Sequence, residues 1–369
     1  GRRAGPYTRP EICAADRALL VYTSGTTAEP KGVQHSHASL LAEVYSPVTR
    51  TEGDERSRRH LALFPSGHVA GLLGLLRIVV KGHQTVVLDA WNSARAAALV
   101  DEYGLTSGVG APVHLMGLLD ERDRGTATLA TLRDFIVGAA GVPPALVERA
   151  DAAGIAAYRC YGCSEHPTIS SGDPADPLVK RATTDGRVIE GTEVRLVDDD
   201  GVDVPDGSEG EIVTRGGELF LGYSDPTLNT EAFLPGGWYR TGDVGRFDAD
   251  GFLTITDRKK DIIVRGGENI SSKEVEDVLA QHPAVAEVAA VGMPDERYGE
   301  RVCAVVVLRN PETPLELDEV SDHFAERGVA RQKTPERIVF VDELPRTAAG
   351  KVQKFRLRQL IREGRLGVL

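Results

Sequence analysis

The sequence predicts an α/β fold: a mostly parallel α/β sheet, then a β-rich part, then a small α+β domain. Three observations carry that prediction. Apolar strand-like runs alternate with helical segments up to about residue 141, the signature of a parallel sheet with crossover helices. Beyond residue 165 the runs become short, alternate strictly and are separated by Asp/Gly turns, which reads as antiparallel strands. From residue 257 the pattern becomes strand, helix, two strands, helix.

Taken in order, residues 18–22 read as a short buried strand, followed by a Thr/Gly-rich loop through Gly32 and a helix over 37–44 with Ser36 as N-cap. Runs at 61–64, 85–88 and 135–138 read as strands, and 93–103 as a helix. Residues 193–197 and 210–214 alternate like half-buried strands, and helical periodicity is absent from there until past Arg258. The last part reads as strand 261–265, helix 273–281, strands 285–291 and 301–308, and helix 317–327. Ser271 with Glu274 makes a capping box for the first of these helices, whose Val275, Val278 and Leu279 share an apolar face. These shifts divide the chain into 1–256, with an α/β part over 1–165 and a β-rich part over 166–256, and 257–369.

With 369 residues, 41% of them apolar, the chain can bury a core of about two domains. A net charge of −12, a pI near 5.3 and no dense Lys/Arg block argue against nucleic acid or an anionic membrane surface as partner. The longest apolar stretch, 68–80, is too short to span a bilayer and contains Arg77. No secretory signal is read, and four cysteines are too few for a disulfide scaffold, so the expected compartment is the cytoplasm. Cys160-x-x-Cys163 with His166 lacks a second ligand pair, so ordinary packing is expected there rather than zinc.

Tyr22-Thr-Ser-Gly-Thr-Thr-Ala-Glu-Pro-Lys-Gly32 joins small hydroxyls, two glycines and a lysine after a strand. Glycine lets backbone N–H groups approach phosphate oxygens, hydroxyls donate further bonds, and Lys31 supplies charge. The spacing is not that of a Walker A loop. Thr23, Ser24, Gly25, Thr26, Thr27 and Lys31 are therefore candidate phosphate ligands.

This segment resembles the signature loop of the adenylate-forming superfamily, which contains acyl-CoA synthetases, luciferases and peptide-synthetase adenylation domains. Four further motifs follow in the family's order. Tyr161-Gly-Cys-Ser-Glu165 resembles the motif in which the ring stacks on adenine, the hydroxyl, here Ser164, contacts phosphate, and the glutamate holds Mg2+. Gly237-Trp-Tyr-Arg-Thr-Gly-Asp243 resembles the motif whose aspartate binds the ribose hydroxyls. Asp257-Arg-Lys-Lys260 looks like the hinge, with Arg258 near the ribose and Lys260 as pivot, and Pro345-Arg-Thr-Ala-Ala-Gly-Lys351 like the loop that delivers the catalytic lysine. By the same resemblance Gly138, Ala139 and Ala140 lie at the adenine, His68, Gly71 and Gly138 at the acyl pocket, and Gly266 and Gly267 beside the CoA channel. Taken singly, Asp243 would be a turn aspartate and Lys351 an exposed lysine; the ordered set of motifs argues otherwise.

The resemblance implies ATP, Mg2+ and coenzyme A as cofactors and co-substrates. The implied reaction joins a carboxylic acid to CoA through an acyl-AMP, in a monomer or homodimer with a mobile domain over 257–369. Small apolar pocket walls suggest an uncharged medium-chain, alicyclic or aromatic acid. In this family a long segment usually precedes the phosphate loop, and here about twenty residues do, so 1–256 is expected to be an N-terminally truncated AMP-binding domain. The alternatives are an acyl-AMP ligase that loads a carrier protein and a nucleotide- or acyl-binding remnant.

Overall fold

The structure, a computed structural model, describes residues 11–23, 30–46, 59–313, 315–347 and 350–366. Strands Gln84–Val87, Arg59–Ala62, Ser107–Gly110, Asp134–Val137 and Ala156–Tyr161 lie side by side and parallel. Leu61, Phe135, Val137 and Ala157 are fully buried, as parallel strands covered on both faces require. Helices Ser93–Tyr103, Pro112–Asp123 and Pro144–Ala152 pack onto this sheet through Val100, Leu115, Leu118 and Val147. Helices His37–Tyr45 and Val69–Lys81 pack on each other through Leu40, Val44, Val69 and Leu73. Ser36 caps the first of them, accepting from the Ser39 N–H at 3.0 Å while the Ser39 hydroxyl accepts from the Ser36 N–H at 3.1 Å.

Three expectations for this half need correction. The strand at 18–22, observed as Arg17–Thr23, is not buried: Leu20 and Tyr22 are 39% and 63% exposed. Among the described residues it is the edge of a three-stranded antiparallel sheet, paired with Lys31–Ser36, which in turn pairs with Gly222–Tyr223. The parallel sheet also does not stop at residue 165, because Ser170–Ser171 and Arg187–Val188 add antiparallel strands to make seven. Helical structure is likewise present beyond it, at Leu178–Thr183 and Asn229–Ala232. Elements of six and four residues make less than two turns, too little for a periodic signal.

Thr192–Val197, Gly210–Gly216, Trp238–Phe247 and Leu253–Arg258 form an antiparallel sheet, with Phe233–Leu234 on one end of Trp238–Phe247. A buried ion pair ties it to the parallel sheet. Asp185 accepts from Arg159 Nε and Nη2 at 2.9 and 2.7 Å through one oxygen, and from the Ile255 N–H at 2.8 Å through the other. Removing one partner of such a pair costs about 3–5 kcal/mol, because the other charge is left buried and alone.

The C-terminal sheet runs Glu268–Ile270, Ile263–Arg265, Gly299–Leu308, Val285–Asp295, with Arg337–Phe340 parallel to Gly299–Leu308. Its central strand shows a period of two. Val302, Ala304 and Val306 meet helices Ser272–Leu279 and Leu317–Glu326, while Cys303 and Val305 meet helix Lys354–Arg362. The capping box at Ser271 is only half made. Ser271 accepts from the Glu274 N–H at 3.1 Å, but the Glu274 carboxylate turns to Lys333 Nζ at 2.8 and 2.7 Å, an ionic partner that outcompetes a neutral amide. Among the described residues no helix is long and apolar enough to cross a membrane.

Candidate active site

Strand Ala156–Tyr161 ends at the carboxyl edge of the parallel sheet, where open α/β sheets bind ligands. Tyr161 is its last residue, and its phenol donates to Asp243 Oδ2 at 2.8 Å. Asp243 lies opposite Arg258 in the pairing of Trp238–Phe247 with Leu253–Arg258, and Arg258 Nε reaches Asp243 Oδ1 at 2.9 Å. Asp243 is 3% exposed. A carboxylate has about four acceptor sites, so two remain for a diol such as ribose.

On the other side of this loop, the Glu165 carboxylate accepts the Tyr223 phenol at 2.7 Å through Oε1, and Tyr223 lies 3.3 Å from the Tyr239 hydroxyl. Lys31 Nζ sits 5.0 Å above the Tyr223 ring. One aromatic side chain thus joins the lysine of the Thr/Gly-rich loop to the glutamate. Thr23 and Lys31 are paired at the mouth of the hairpin that carries that loop. Ser24, Gly25, Thr26 and Thr27 lie outside the described residues. Glu165 Oε2 makes no hydrogen bond among the described residues, which fits a magnesium ion that takes one carboxylate and fills its shell with phosphate oxygens and water.

The loop between Tyr161 and Thr168 is framed by backbone contacts. His35 is fully buried, and burial lowers its pKa, so the neutral ring donates from Nε2 to the Ser164 carbonyl at 2.7 Å. The Phe220 N–H donates to the Glu165 carbonyl at 2.9 Å. His166 lies between the hydroxyls of Thr214 and Thr192, at 3.1 and 3.3 Å, with a pKa pushed down to about 4 by burial. Both its nitrogens are engaged there, and burial raises the thiol pKa of Cys160 to about 12 and also raises that of Cys163. Among the described residues no three His, Cys, Asp or Glu side chains come close enough to hold a metal.

Lys351 follows a tight turn in which Thr347 and Lys351 exchange hydrogen bonds, and Arg346 bridges Val352. The Lys351 ammonium lies within electrostatic reach of Arg258 and Asp243 and of His68. Burial first, then the Arg258 charge, lower its pKa to about 7. An anionic ligand would reverse that shift. His68 caps helix Val69–Lys81, accepting from the Ala70 N–H at 3.2 Å, and stacks on Phe64 at 5.5 Å.

Several glycines have local explanations. A Cβ on Gly71 would meet the Pro65 carbonyl oxygen at 2.1 Å, and one on Gly138 the Cys160 sulfur at 2.7 Å, so both are used up by close packing. Gly266 and Gly267, at φ 59° and 90°, make the two-residue turn between Ile263–Arg265 and Glu268–Ile270. That turn demands glycine whether or not a substrate passes. Ala139 is exposed at φ 66°, a left-handed conformation costing a non-glycine residue about 1–2 kcal/mol, and Ala140 beside it is exposed too. Lys260 sits in the turn that leaves Leu253–Arg258, after Lys259, whose ammonium reaches Asp199 and Glu211. Tyr223, Tyr239, Phe220 and His35 were missed in the sequence. The one available signal was the concentration of Phe220, Tyr223, Phe233, Trp238 and Tyr239 in a chain with 5% aromatics.

Residues 2–224 match the family described as AMP-binding enzyme, and residues 274–351 the AMP-binding enzyme C-terminal domain. The chain is 40% identical over 346 residues to a medium-chain fatty-acid–CoA ligase of Escherichia coli, covering 93% of this chain and 61% of that protein. It is 37% identical to an indoleacetate–CoA ligase of Aromatoleum aromaticum, covering 95% of this chain and 69% of that protein. It also superposes on the o-succinylbenzoate CoA synthetase of Bacillus subtilis in complex with its acyl-adenylate, with a TM-score of 0.84 at 30% identity, over 94% of this chain and 70% of that one. The chain thus spans about three fifths of the first of these relatives. By these matches, and by the cradle that Tyr161, Asp243, Arg258 and Lys351 form, the chain belongs to the family of AMP-binding enzymes.

Proposed function

We propose that the protein is an AMP-forming acid–CoA ligase, which turns a carboxylate and ATP into acyl-AMP and pyrophosphate and then passes the acyl group to the CoA thiol. The observation that carries this reading is the position of Lys351 beside the Asp243–Arg258 pair, at the end of the strand that presents Tyr161 and Glu165. The relatives named as ligases of a medium-chain fatty acid and of indoleacetate support it.

The carboxylate must approach the α-phosphate of a nucleotide that is already anionic. Two anions about 4 Å apart repel by roughly 4 kcal/mol at an effective dielectric of about 20, so cations at that contact are required. Lys351 supplies one as a compact charge that bridges carboxylate and phosphate oxygens. Glu165 would hold magnesium, which neutralises phosphate charge. Asp243 accepts the ribose hydroxyls, Tyr161 and the 138–140 turn flank the adenine, Ser164 and residues 23–31 bind the phosphates, and His68 borders the acyl group. For the second step residues 257–369 would turn about Lys260, withdraw Lys351 and bring Gly266 and Gly267 to the pantetheine. The substrate class that fits is an uncharged medium-chain, alicyclic or aromatic acid, handled in the cytoplasm.

A panel of such acids in the ATP–pyrophosphate exchange assay tests this reading on the intact protein. Acid-dependent exchange, followed by acyl-CoA when CoA is added, is the expected result. Nucleotide binding without exchange for any acid would overturn it, and thioester formed only on carrier-protein pantetheine would move the acceptor.

A further inference from the structure

Behind the loop that carries Ser164 and Glu165, two acidic side chains are packed together with almost no water. Glu43, on helix His37–Tyr45, is 1% exposed, and Glu218, in the segment between Gly210–Gly216 and Gly222–Tyr223, is 4% exposed. Glu43 Oε1 accepts from Arg77 Nη2 at 2.6 Å and from the Thr168 hydroxyl at 3.1 Å. Glu218 lies close enough to Glu43 for the two carboxyl groups to interact directly. Glu43 Oε2, Glu218 Oε2 and Ser46 Oγ are all buried without a hydrogen-bond partner among the described residues. Two facing carboxylates cannot satisfy each other, since both only accept. One proton between them satisfies both orphaned oxygens.

Charge balance requires the same proton. Among the described residues Arg77 is the one cation bonded to the pair, and it neutralises one carboxylate. His35, whose ring faces Glu43, is held neutral by burial, and the Cys160 thiol, also facing Glu43, has its pKa raised to about 12. A second buried anion would stand uncompensated, so it protonates instead. We propose that Glu43 and Glu218 share one proton, carried by Glu218 as a neutral carboxylic acid, and that the pair is a positioning device for the loop bearing Ser164 and Glu165. Burial first, then the hydrogen bond and the charge of Glu43, push the Glu218 carboxyl from 4.5 up to about 10.

The link to the site is short. The Thr168 hydroxyl donates to Glu43, the partner of Glu218, while Phe220, two residues past Glu218, holds the Glu165 carbonyl. Both ends of the turn from Glu165 to Thr168 therefore depend on the acid pair and the segment that carries Glu218. The positioning role rests on the ligase reading of Glu165, whereas the shared proton does not.

Two measurements on the intact protein test the proposal. The folded chain keeps a proton that the unfolded chain has lost from about pH 4.5 upward, so this group's stabilisation is fully present below that value and declines as pH rises toward about 10. Relative to Glu218→Gln, whose amide donates to Glu43 at every pH, the wild-type folding constant should fall about tenfold per pH unit between pH 6 and 9. Parallel pH profiles for the two proteins would overturn the shared proton. In pyrophosphate exchange, Glu218→Ala should lower kcat about tenfold or more, with Glu218→Gln within about threefold of wild type. Glu165→Ala serves as the control. Exchange lost in Glu165→Ala but intact in Glu218→Ala overturns the positioning role with the ligase reading preserved. Exchange intact in both overturns the reading of Glu165 and the positioning role with it.

Discussion

In the proposed ligase, Asp243 serves the ligand and the fold at once. Its carboxylate accepts from a phenol 82 residues earlier in the chain and pairs with Arg258, before any ribose is present. Bonds to the ribose would form in ground and transition states alike, so they act on binding more than on chemistry. Asp243→Ala should raise the Michaelis constant for ATP before it lowers turnover. It should also cost about 1–3 kcal/mol of stability, because the buried Tyr161 hydroxyl loses its acceptor. Asp243→Asn keeps that acceptor, so its stability loss should be smaller while the ATP defect persists. Steady-state kinetics with chemical denaturation checks both parts, and an unchanged ATP response would remove Asp243 from the site. The aspartate itself was legible from the motif ending at residue 243. Its partnership with Tyr161 was not, because sequence spacing says nothing about which strand ends meet.

Elements whose period and caps reinforce each other were read well, and 93–103 is the observed helix Ser93–Tyr103. Length alone did not suffice, because helices Val69–Lys81, Pro112–Asp123, Pro144–Ala152 and Lys354–Arg362 and strand Trp238–Phe247 were not singled out. Short elements failed, as did Lys31–Ser36, whose Gly, Gln, His and Ser carry little strand preference. Gly266 and Gly267 show how a motif can hide a simpler cause, because the hairpin they close needs positive φ at both positions. The turn at Lys260 is the element on which the two-step account depends. The Asp261 and Ile262 N–H groups both donate to the Arg258 carbonyl there, at 2.8 and 3.1 Å. Proline at 260 fixes its own φ and restricts Lys259, so Lys260→Pro should trap one arrangement. Adenylation should persist and thioester formation collapse, because the arrangement described already holds Lys351 beside Asp243 and Arg258. Both half-reactions measured on one preparation decide this. If they fall together, or neither falls, the pivot lies elsewhere.

At the scale of the whole molecule, the order of motifs along the chain was legible and their convergence was not. Residues 22–32, 161–165, 237–243, 257–260 and 345–351 each signal themselves locally, through glycines, hydroxyls and charges in short runs. The supports between them are long-range: His35 on Ser164, Tyr223 on Glu165, and Glu218 on Glu43. None of these pairs shares a spacing that a single sequence can display. The central claim is that a C-terminal loop delivers Lys351 to the nucleotide cradle for the first half-reaction and not for the second. The most direct test is Lys351→Ala in the intact protein, with acid-dependent pyrophosphate exchange and thioester formation from pre-made acyl-AMP measured side by side. The account predicts that exchange falls by roughly 100-fold or more, the scale of one lost transition-state contact, while thioester formation largely survives. Equal loss in both, or loss in neither, would contradict it.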